Sequence, residues 1–417
     1  MISELFHPAN MIGALRPSKI AKYLLLMGYK VDIISREKAE DFFTHPNCRM
    51  FRIQDNINSI HVKSYNVNLS CLTGLKKPIF NELRKLKRGV QSLLKAVKYK
   101  HNADKLIKEQ NIVPSSYDAC ITTYGPLSSV LIGLSLKKRY NVKKWICDFR
   151  DPIITIESSK VLQAYYWYLQ KKCIKFADSI VAVSYGCLNR ICKGKYKQKS
   201  YMIPNGFSEE DLEGIHIVHK DSSVLNLTYA GALYEGKRKI SVLFQVISEL
   251  YHDGSIDIAN ICFNYAGHDF VFLKEQAEKY DLSSIIIDHG FLSRAESLAL
   301  QSASDILVLA TWNSKKETGV VSGKFLEYIG MRKPILALVD GDLSNSEVSC
   351  IMKKGNFGVC FEEANRSKDY PILKTYLYTQ YKRFISGKNL VFDPDQSVID
   401  RYNYKNIAQQ YLELINE

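Results

Sequence analysis

The stretch from Gly319 to Pro334, G-V-V-S-G-K-F-L-E-Y-I-G-M-R-K-P, lies between two apolar runs, Asp305 to Ala310 and Ile335 to Val339. Short apolar runs without polar alternation read as strands covered on both faces, which is the habit of parallel sheets. A strand, a helix and a second strand in that order form a βαβ unit and commit the chain to an α/β fold. Small residues open the helix: Gly319, Ser322 and Gly323, with Val320 and Val321 between them. Its first turn presents unpaired N–H groups and a positive dipole end, which suit an anion. Lys324 adds a point charge there, and Glu327, three residues on, projects from the same side and can accept hydrogen bonds from sugar hydroxyls. Two readings stand at this point: a phosphate-plus-sugar site, or a capped crossover helix with one surface Lys and one surface Glu.

The same alternation fills most of the chain. Ser3 to Phe6 reads as the end of a strand, Pro8 to Gly13 as a loop, Lys19 to Met27 as a helix, and Y-K-V-D-I-I-S after Gly28 as the next strand. Beyond an irregular basic region come strands at 117–123, 144–148, 178–184 and 201–203, with a helix over Leu127 to Lys138. The pattern restarts after a loop from Pro204, with strands at 225–231, 261–267 and 284–290 and helices over Lys239 to Leu250 and Arg294 to Ala303. Three of these strand ends run into glycine, Gly231, Gly267 and Gly290, so three loops let backbone come close to a ligand. Ser397 to Ile415 reads as a lone amphipathic helix that packs back on the first half. The length of 417 residues favours two domains. Their expected bounds are 1–205, joined by a C-terminal helix at about 397–417, and 206–396.

Charge separates the halves further. The formal net charge is +14, and Lys76 to Lys108 carries Lys and Arg in large excess over acids, with Leu83, Leu86, Val90, Leu93, Leu94 and Val97 at helical spacing. Either that apolar stripe faces the core under a solvated basic face, or the helix is drawn to anionic lipid or a diphosphate-bearing substrate. No apolar run reaches the length of a membrane span, and Met1 to Pro8 lacks the basic start and apolar core of a signal peptide. The cysteines form no C-x-x-C pair, and Cys120, Cys147 and Cys262 lie in apolar runs, so buried reduced thiols in the cytoplasm are expected, with no disulfide and no structural zinc.

The motifs A-G-A-L-Y (230–234), H-G-F-L-S-R (289–294), S-D-I-L-V-L (304–309) and G-K-F-L-E-Y-I-G-M-R-K-P-I-L (323–336), with W-I-C-D-F-R-D-P (145–152) in the first half, resemble glycosyltransferase family 4 of the GT-B fold. The resemblance extends over nearly the whole chain from His7. It implies two doubly wound, Rossmann-like domains facing across a cleft, the first binding an acceptor and the second a nucleotide diphosphate sugar. It also implies a retaining transferase that needs no metal and no other cofactor.

By this resemblance Glu327 matches the second acid of the family's E-x(7)-E pattern, which holds the donor ribose. The first acid falls on Gly319, so sugar contacts have to come from elsewhere, such as backbone at Val320 and Val321, with Glu317 near but out of register. Lys324 and the pair Lys237–Arg238 match the diphosphate-binding cations, and Gly231, Gly290, Phe291, Ser322 and Gly323 complete the donor set. Gly13 with Arg16 matches the first-domain loop that faces the donor. Asp148, Arg150 and Asp151 follow a strand, and His7 lies in the first-domain loop; these are the acceptor candidates, with Lys324, Arg238, Asp151 and Arg150 as the catalytic set. The Asp-Arg-Asp run reads equally as an internal salt bridge.

Other chemistries find less support. D-G-D at 340–342 resembles a metal-binding D-x-D, yet its place far into the second half fits a surface turn better. His268 and His289 flank strand-end glycines and are either nucleotide contacts or solvated side chains. No P-loop, Ser-His-Asp order or metal-spaced His cluster is present. The expected reaction is transfer from a nucleotide diphosphate sugar, UDP favoured, to a saccharide or polyprenyl-diphosphate-linked saccharide in surface polysaccharide synthesis. It would take place at the inner face of the cytoplasmic membrane and without nucleic acid. The alternatives are a soluble small-molecule acceptor, or a non-catalytic basic scaffold for membrane or nucleic acid.

Overall fold

A computed structural model of the chain describes residues 1–7, 12–36, 45–53, 76–155, 158–193, 197–215 and 223–417. The chain divides into two compact units, Met1–Pro204 with Ile407–Glu417, and Asn205–Asn406.

In the first unit the strands are β1 (Val31–Ser35), β2 (Cys48–Arg52), β3 (Cys120–Tyr124), β4 (Trp145–Phe149), β5 (Ser179–Ala182) and β6 (Ser200–Met202). All pair in parallel, in the orders β1-β2 and β3-β4-β5-β6. Ile2 joins the two groups by bridging Ile34 on one side and Thr122 on the other. This shortens the expected strand end at Ser3 to Phe6: Ile2 is the last bridged residue, and beyond it Glu4 still accepts from Arg36 N–H at 3.2 Å. The chain thus moves outward through β1 and β2 and returns beyond Ile2 to β3, a reversal that marks the ligand-binding end of a doubly wound sheet. The helices are α1 (Ile12–Leu26), α2 (Lys76–Glu109), α3 (Leu127–Arg139), α4 (Lys160–Phe176) and α5 (Tyr185–Cys192).

Helix α1 begins before the expected Lys19 and so includes Gly13 and Pro17. Pro17 is a breaker by propensity, but burial of Ala14, Arg16 and Ser18 holds the turn. Of the expected loop at Pro8 to Gly13, residues 8–11 lie outside the described residues. Of the two readings of the α2 stripe, the core-facing one holds only for Leu93, which packs on the first unit's core, with Leu86 half-buried. Leu83, Val90, Leu94 and Val97 are exposed, while the helix buries Ala96, Tyr99, Ala103 and Ile107.

The second unit has α6 (Glu209–Glu213), β7 (Leu225–Ala230), α7 (Ser241–His252), β8 (Ile261–Ala266), α8 (Phe270–Glu278), β9 (Ile286–Asp288), α9 (Arg294–Ala303), β10 (Ile306–Trp312), α10 (Gly323–Met331) and β11 (Ile335–Asp340). It ends with α11 (Glu347–Gly355), β12 (Gly358–Glu362), α12 (Arg366–Ile385) and α13 (Gln396–Arg401). Its sheet is parallel in the order β12-β11-β10-β7-β8-β9. The reversal falls between β7 and β10, and every residue of β7 and β8 is buried, as strands covered on both faces require.

The expected single C-terminal helix is two, α13 and α14 (Tyr404–Asn416). Phe207 donates to the Tyr402 carbonyl at 2.9 Å and accepts from Tyr404 N–H at 2.9 Å, so Asn403 is held in a strand-like bridge that interrupts the helix. Ile399 and Tyr402 of the first part belong to the core of the second unit, and the return to the first unit begins at Ile407.

Candidate functional site

In the second unit, two loops leave the sheet at the reversal between β7 and β10. The first, after β7, carries Gly231, Lys237 and Arg238. Lys237 is exposed, whereas Arg238 is 8% exposed. The Arg238 guanidinium lies 4.6 Å from the Tyr234 ring centroid and 5.5 Å from that of Trp312, the last residue of β10. Its Nη1 donates to the Ala232 carbonyl at 3.0 Å and to Tyr229 Oη at 3.4 Å. Its Nε has no acceptor.

The second loop runs from Trp312 to α10. Trp312 Nε1 donates to Glu317 at 2.9 Å, and Gly319 has φ +75°. Ser322 caps α10 by accepting from Phe325 N–H at 3.4 Å, so the following turn starts as the small residues implied. Val320 to Gly323 are half-buried. Glu327, 8% exposed, accepts from Arg294 Nη1 at 2.5 Å through Oε1, and Lys324 Nζ stands 3.1 Å from Oε2. That last pair is ionic without hydrogen-bond alignment, so Oε2 accepts no hydrogen bond. Lys324 Nζ also reaches Ser297 Oγ at 3.3 Å.

Three buried polar atoms are thus left open at one sheet reversal: a donor on Arg238, an acceptor on Glu327 and the hydroxyl of Thr311 at the end of β10. An unmade bond of this kind costs stability, and it suits a ligand that carries both an anion and hydroxyl groups.

Sequence reasoning missed Arg294, Trp312 and Tyr234. For Arg294 a signal existed in S-R-A-E, where Ser293 and Glu296 form a capping box that puts Arg294 in the first turn of α9. Burial lowers the Arg294 pKa, but Glu327 and Asp211 outweigh it and raise the pKa overall, so the guanidinium stays charged.

The strand-end glycines lie side by side. Gly231 N–H donates to the Ala266 carbonyl at 2.8 Å and Gly267 N–H to the Gly290 carbonyl at 2.9 Å. Phe291, 72% exposed, stacks on His268 with centroids 4.2 Å apart. His289 bonds Asn264 at 2.9 Å through Nε2, and burial lowers its pKa. It therefore supports the strand end. In D-G-D, Asp340 pairs with Lys239 at 2.8 Å, Asp342 accepts from Lys315 N–H at 3.0 Å, and Gly341 turns at φ +117°.

The first unit separates its predicted residues. Asp148 and Arg16 have side chains 0% and 1% exposed and pair at 2.9 Å. Arg16 also donates to the carbonyls of Ile203 at 2.9 Å and Pro204 at 2.5 Å and to Tyr411 Oη at 2.7 Å. Asp148 as an acceptor contact and Arg16 as a donor contact are therefore corrected: both are enclosed, and Asp148 pairs with Arg16 rather than within the Asp-Arg-Asp run. Arg150 differs. It donates to the carbonyls of Tyr124 at 3.1 Å and Gly125 at 2.5 Å, and its guanidinium passes so close to Gly13 and Gly125 that a Cβ would come within 2.7 and 2.3 Å of it. Asp151 is exposed beside it. His7 N–H donates to Ser18 Oγ at 2.9 Å, and burial first, then Lys19, lowers the His7 pKa.

This geometry matches solved structures over the whole chain. Sucrose-phosphate synthase from Thermosynechococcus elongatus superposes with a TM-score of 0.61 at 14% identity, covering 100% of this chain and 97% of that one. The Escherichia coli trehalose-6-phosphate structure bound with UDP-2-fluoro glucose gives 0.59 at 12% identity, covering 100% and 98%. The lipopolysaccharide outer core galactosyltransferase WaaB gives 0.57 at 13%, covering 99% and 98%. The chain has the GT-B fold. No protein-family model and no curated protein matches the sequence.

Proposed function

We propose that the protein is a retaining glycosyltransferase that takes a nucleotide diphosphate sugar in the second unit, with UDP as the favoured nucleotide. The observation that carries this reading is the pair of open atoms, Arg238 Nε and Glu327 Oε2, at the reversal of the second sheet. Open α/β sheets bind ligands at that position.

A diphosphate seated at the start of α10 meets the helix N-terminus, Lys324 and the free donor of Arg238. A ribose hydroxyl satisfies Glu327 Oε2. As the sugar leaves, negative charge collects on the diphosphate, and these fixed positive groups stabilise it without reorganisation. Backbone at Val320 and Val321 takes the sugar contacts that Gly319, lacking a carboxylate, cannot make. Support for a UDP-sugar comes from the neighbour bound with UDP-2-fluoro glucose.

On this reading the first unit receives the acceptor, with Arg150, Asp151, Gly13 and His7 nearest to it. The acceptor is a saccharide or a polyprenyl-diphosphate-linked saccharide used for surface polysaccharide, taken up at an anionic membrane face. The net charge of +14 supports a membrane-borne acceptor. Among the described residues no helix is long and apolar enough to cross a membrane.

Thermal-shift titration with UDP, GDP and ADP tests the donor reading. Saturating stabilisation of about 2.7 kcal/mol is expected at a hundredfold excess over the dissociation constant. No response to any nucleotide returns the protein to a basic scaffold without chemistry. Activity is expected to persist in EDTA; its loss would shift attention to Asp340 and Asp342.

A further inference from the structure

We propose that the outer face of α4, beside that of α2, docks on the headgroup region of an anionic bilayer and so positions the loop after β4. The proposal rests on the membrane-borne acceptor just described and names the surface that would meet the membrane.

Helix α4 is two-sided. Its inner side packs on α2, where Gly89 leaves room for Leu162 and its carbonyl accepts from Tyr166 Oη at 3.4 Å. Gln170, 4% exposed, accepts from Ile153 N–H at 3.2 Å and donates to the Ile191 carbonyl at 3.1 Å. It therefore fixes the chain directly after Arg150 and Asp151. The outer side carries Val161, Tyr165 and Tyr168 at i, i+4 and i+7, while Trp167 stands on the flank, about 100° around the helix from Tyr168, and all four are exposed. Lys171 Nζ lies 3.5 Å from the Trp167 centroid and Lys172 Nζ 4.3 Å from that of Tyr168.

Aromatic rings with a polar edge settle at the boundary between headgroups and acyl chains, and lysines beside them extend to the phosphates. A soluble helix face has no reason to group three such side chains in the open with a tryptophan on its flank.

Helix α2 adds a second row. Ile79, Leu83, Val90, Leu94 and Val97 are exposed and fall within about 60° of one another around the helix. Arg84, Lys87, Arg88, Lys95 and Lys98 extend from the same helix. The two helices meet where Glu82 accepts from Ser159 Oγ at 2.8 Å and Lys160 N–H at 2.5 Å, next in sequence to Leu83 and Val161. Apolar rows in a basic field select a negatively charged lipid surface as the occupant.

The test uses the full chain without donor or acceptor. It is sedimented with vesicles of phosphatidylcholine alone or with about one-third phosphatidylglycerol, over a salt series. Binding to the anionic vesicles only, weakened by salt and accompanied by a blue shift of tryptophan emission, is expected. Trp167→Phe should lose most of the shift while keeping most of the binding, since Trp145 is fully buried and Trp312 lies against Arg238 in the second unit. Tyr165→Ala with Tyr168→Ala should weaken binding roughly tenfold, while the nucleotide thermal shift stays unchanged. Neutralising Arg84, Lys87 and Arg88 should flatten the salt dependence.

Wild-type binding by the tyrosine variant, or no binding to anionic vesicles at low salt, overturns the proposal. So does a dimer seen by light scattering that the same tyrosine substitutions dissolve, because a second copy would then cover the face. None of these results touches the donor reading, which the nucleotide titration tests separately.

Discussion

The two sheets each carry an arginine–carboxylate pair near the point where strand order reverses, and the pairs are used in opposite ways. In the first unit, Arg16 and Asp148 are 1% and 0% exposed, and Asp148 accepts from Nε at 2.9 Å, Nη2 at 3.1 Å and Thr123 Oγ1 at 3.3 Å. In the second, Arg294 and Glu327 are 40% and 11% exposed, and one carboxylate oxygen accepts nothing. A saturated, enclosed pair contributes structure, because both carboxylate oxygens and all three guanidinium nitrogens already have partners. An unsaturated pair at a sheet end leaves a bond for a ligand to make. Residue type alone does not separate the two cases.

Breaking the enclosed pair should have the largest effect. Arg16→Met strands Asp148 in the core, and a loss of about 3–5 kcal/mol is expected in urea unfolding of the chain. A loss of less than about 1 kcal/mol would show that water reaches Asp148 and erase the contrast.

Next is Lys324→Ala. Turnover should fall by the equivalent of about 2.7–4 kcal/mol if the lysine acts as a leaving-group donor, with little change in unfolding. Normal turnover with the correct sugar donor would displace the site.

Glu327→Gln sharpens the comparison further. It keeps the shape of the side chain but discards the charge, so affinity for the nucleotide sugar should drop by about 1.5–3 kcal/mol, read by calorimetry, while kcat changes less. Equal losses in unfolding stability and affinity would make Glu327 a structural residue like Asp148.

The smallest effect is expected at a partly buried carboxylate on β1. Asp32 accepts from Arg49 Nε at 3.0 Å and from Tyr117 Oη; burial pushes its pKa up, but these two bonds and the Arg49 charge prevail and hold it low. A carboxylate with a depressed folded pKa stabilises above its unfolded value of about 3.9 and loses that contribution as pH falls through the folded value. Asp32→Asn should therefore lower stability slightly at neutral pH, leave it little changed well below about pH 4, and so flatten the acid limb between. An unaltered acid limb would assign the acid response to other carboxylates.

Much of the second unit was legible in sequence. The helix over Arg294 to Ala303 has the bounds expected of it, and the strands around α10 follow apolar runs that only a buried parallel sheet can use. The first unit was less so. Its opening strand contributes only Ile2 to pairing, and α1 runs through Pro17 because tertiary burial overrides local propensity. The C-terminal segment kept its helical period, yet pairing of Asn403 with Phe207, far away in sequence, cut it in two. Cross-chain hydrogen bonds of that kind leave no local signature.

The sequence by itself determined the α/β class, the glycine-ended strands and the small-residue start of α10, because period, run length and capping chemistry are local properties. It also supplied Lys324 and Glu327 by their spacing along one helix. Only the tertiary structure decided which charges are enclosed and which are open. It turned Asp148 inward to Arg16, brought Arg294 to Glu327 from another helix, set Arg238 between Tyr234 and Trp312, and turned the apolar row of α2 outward. Each of these depends on burial and on partners distant in the chain, and a side chain's availability to a ligand is set by those two quantities.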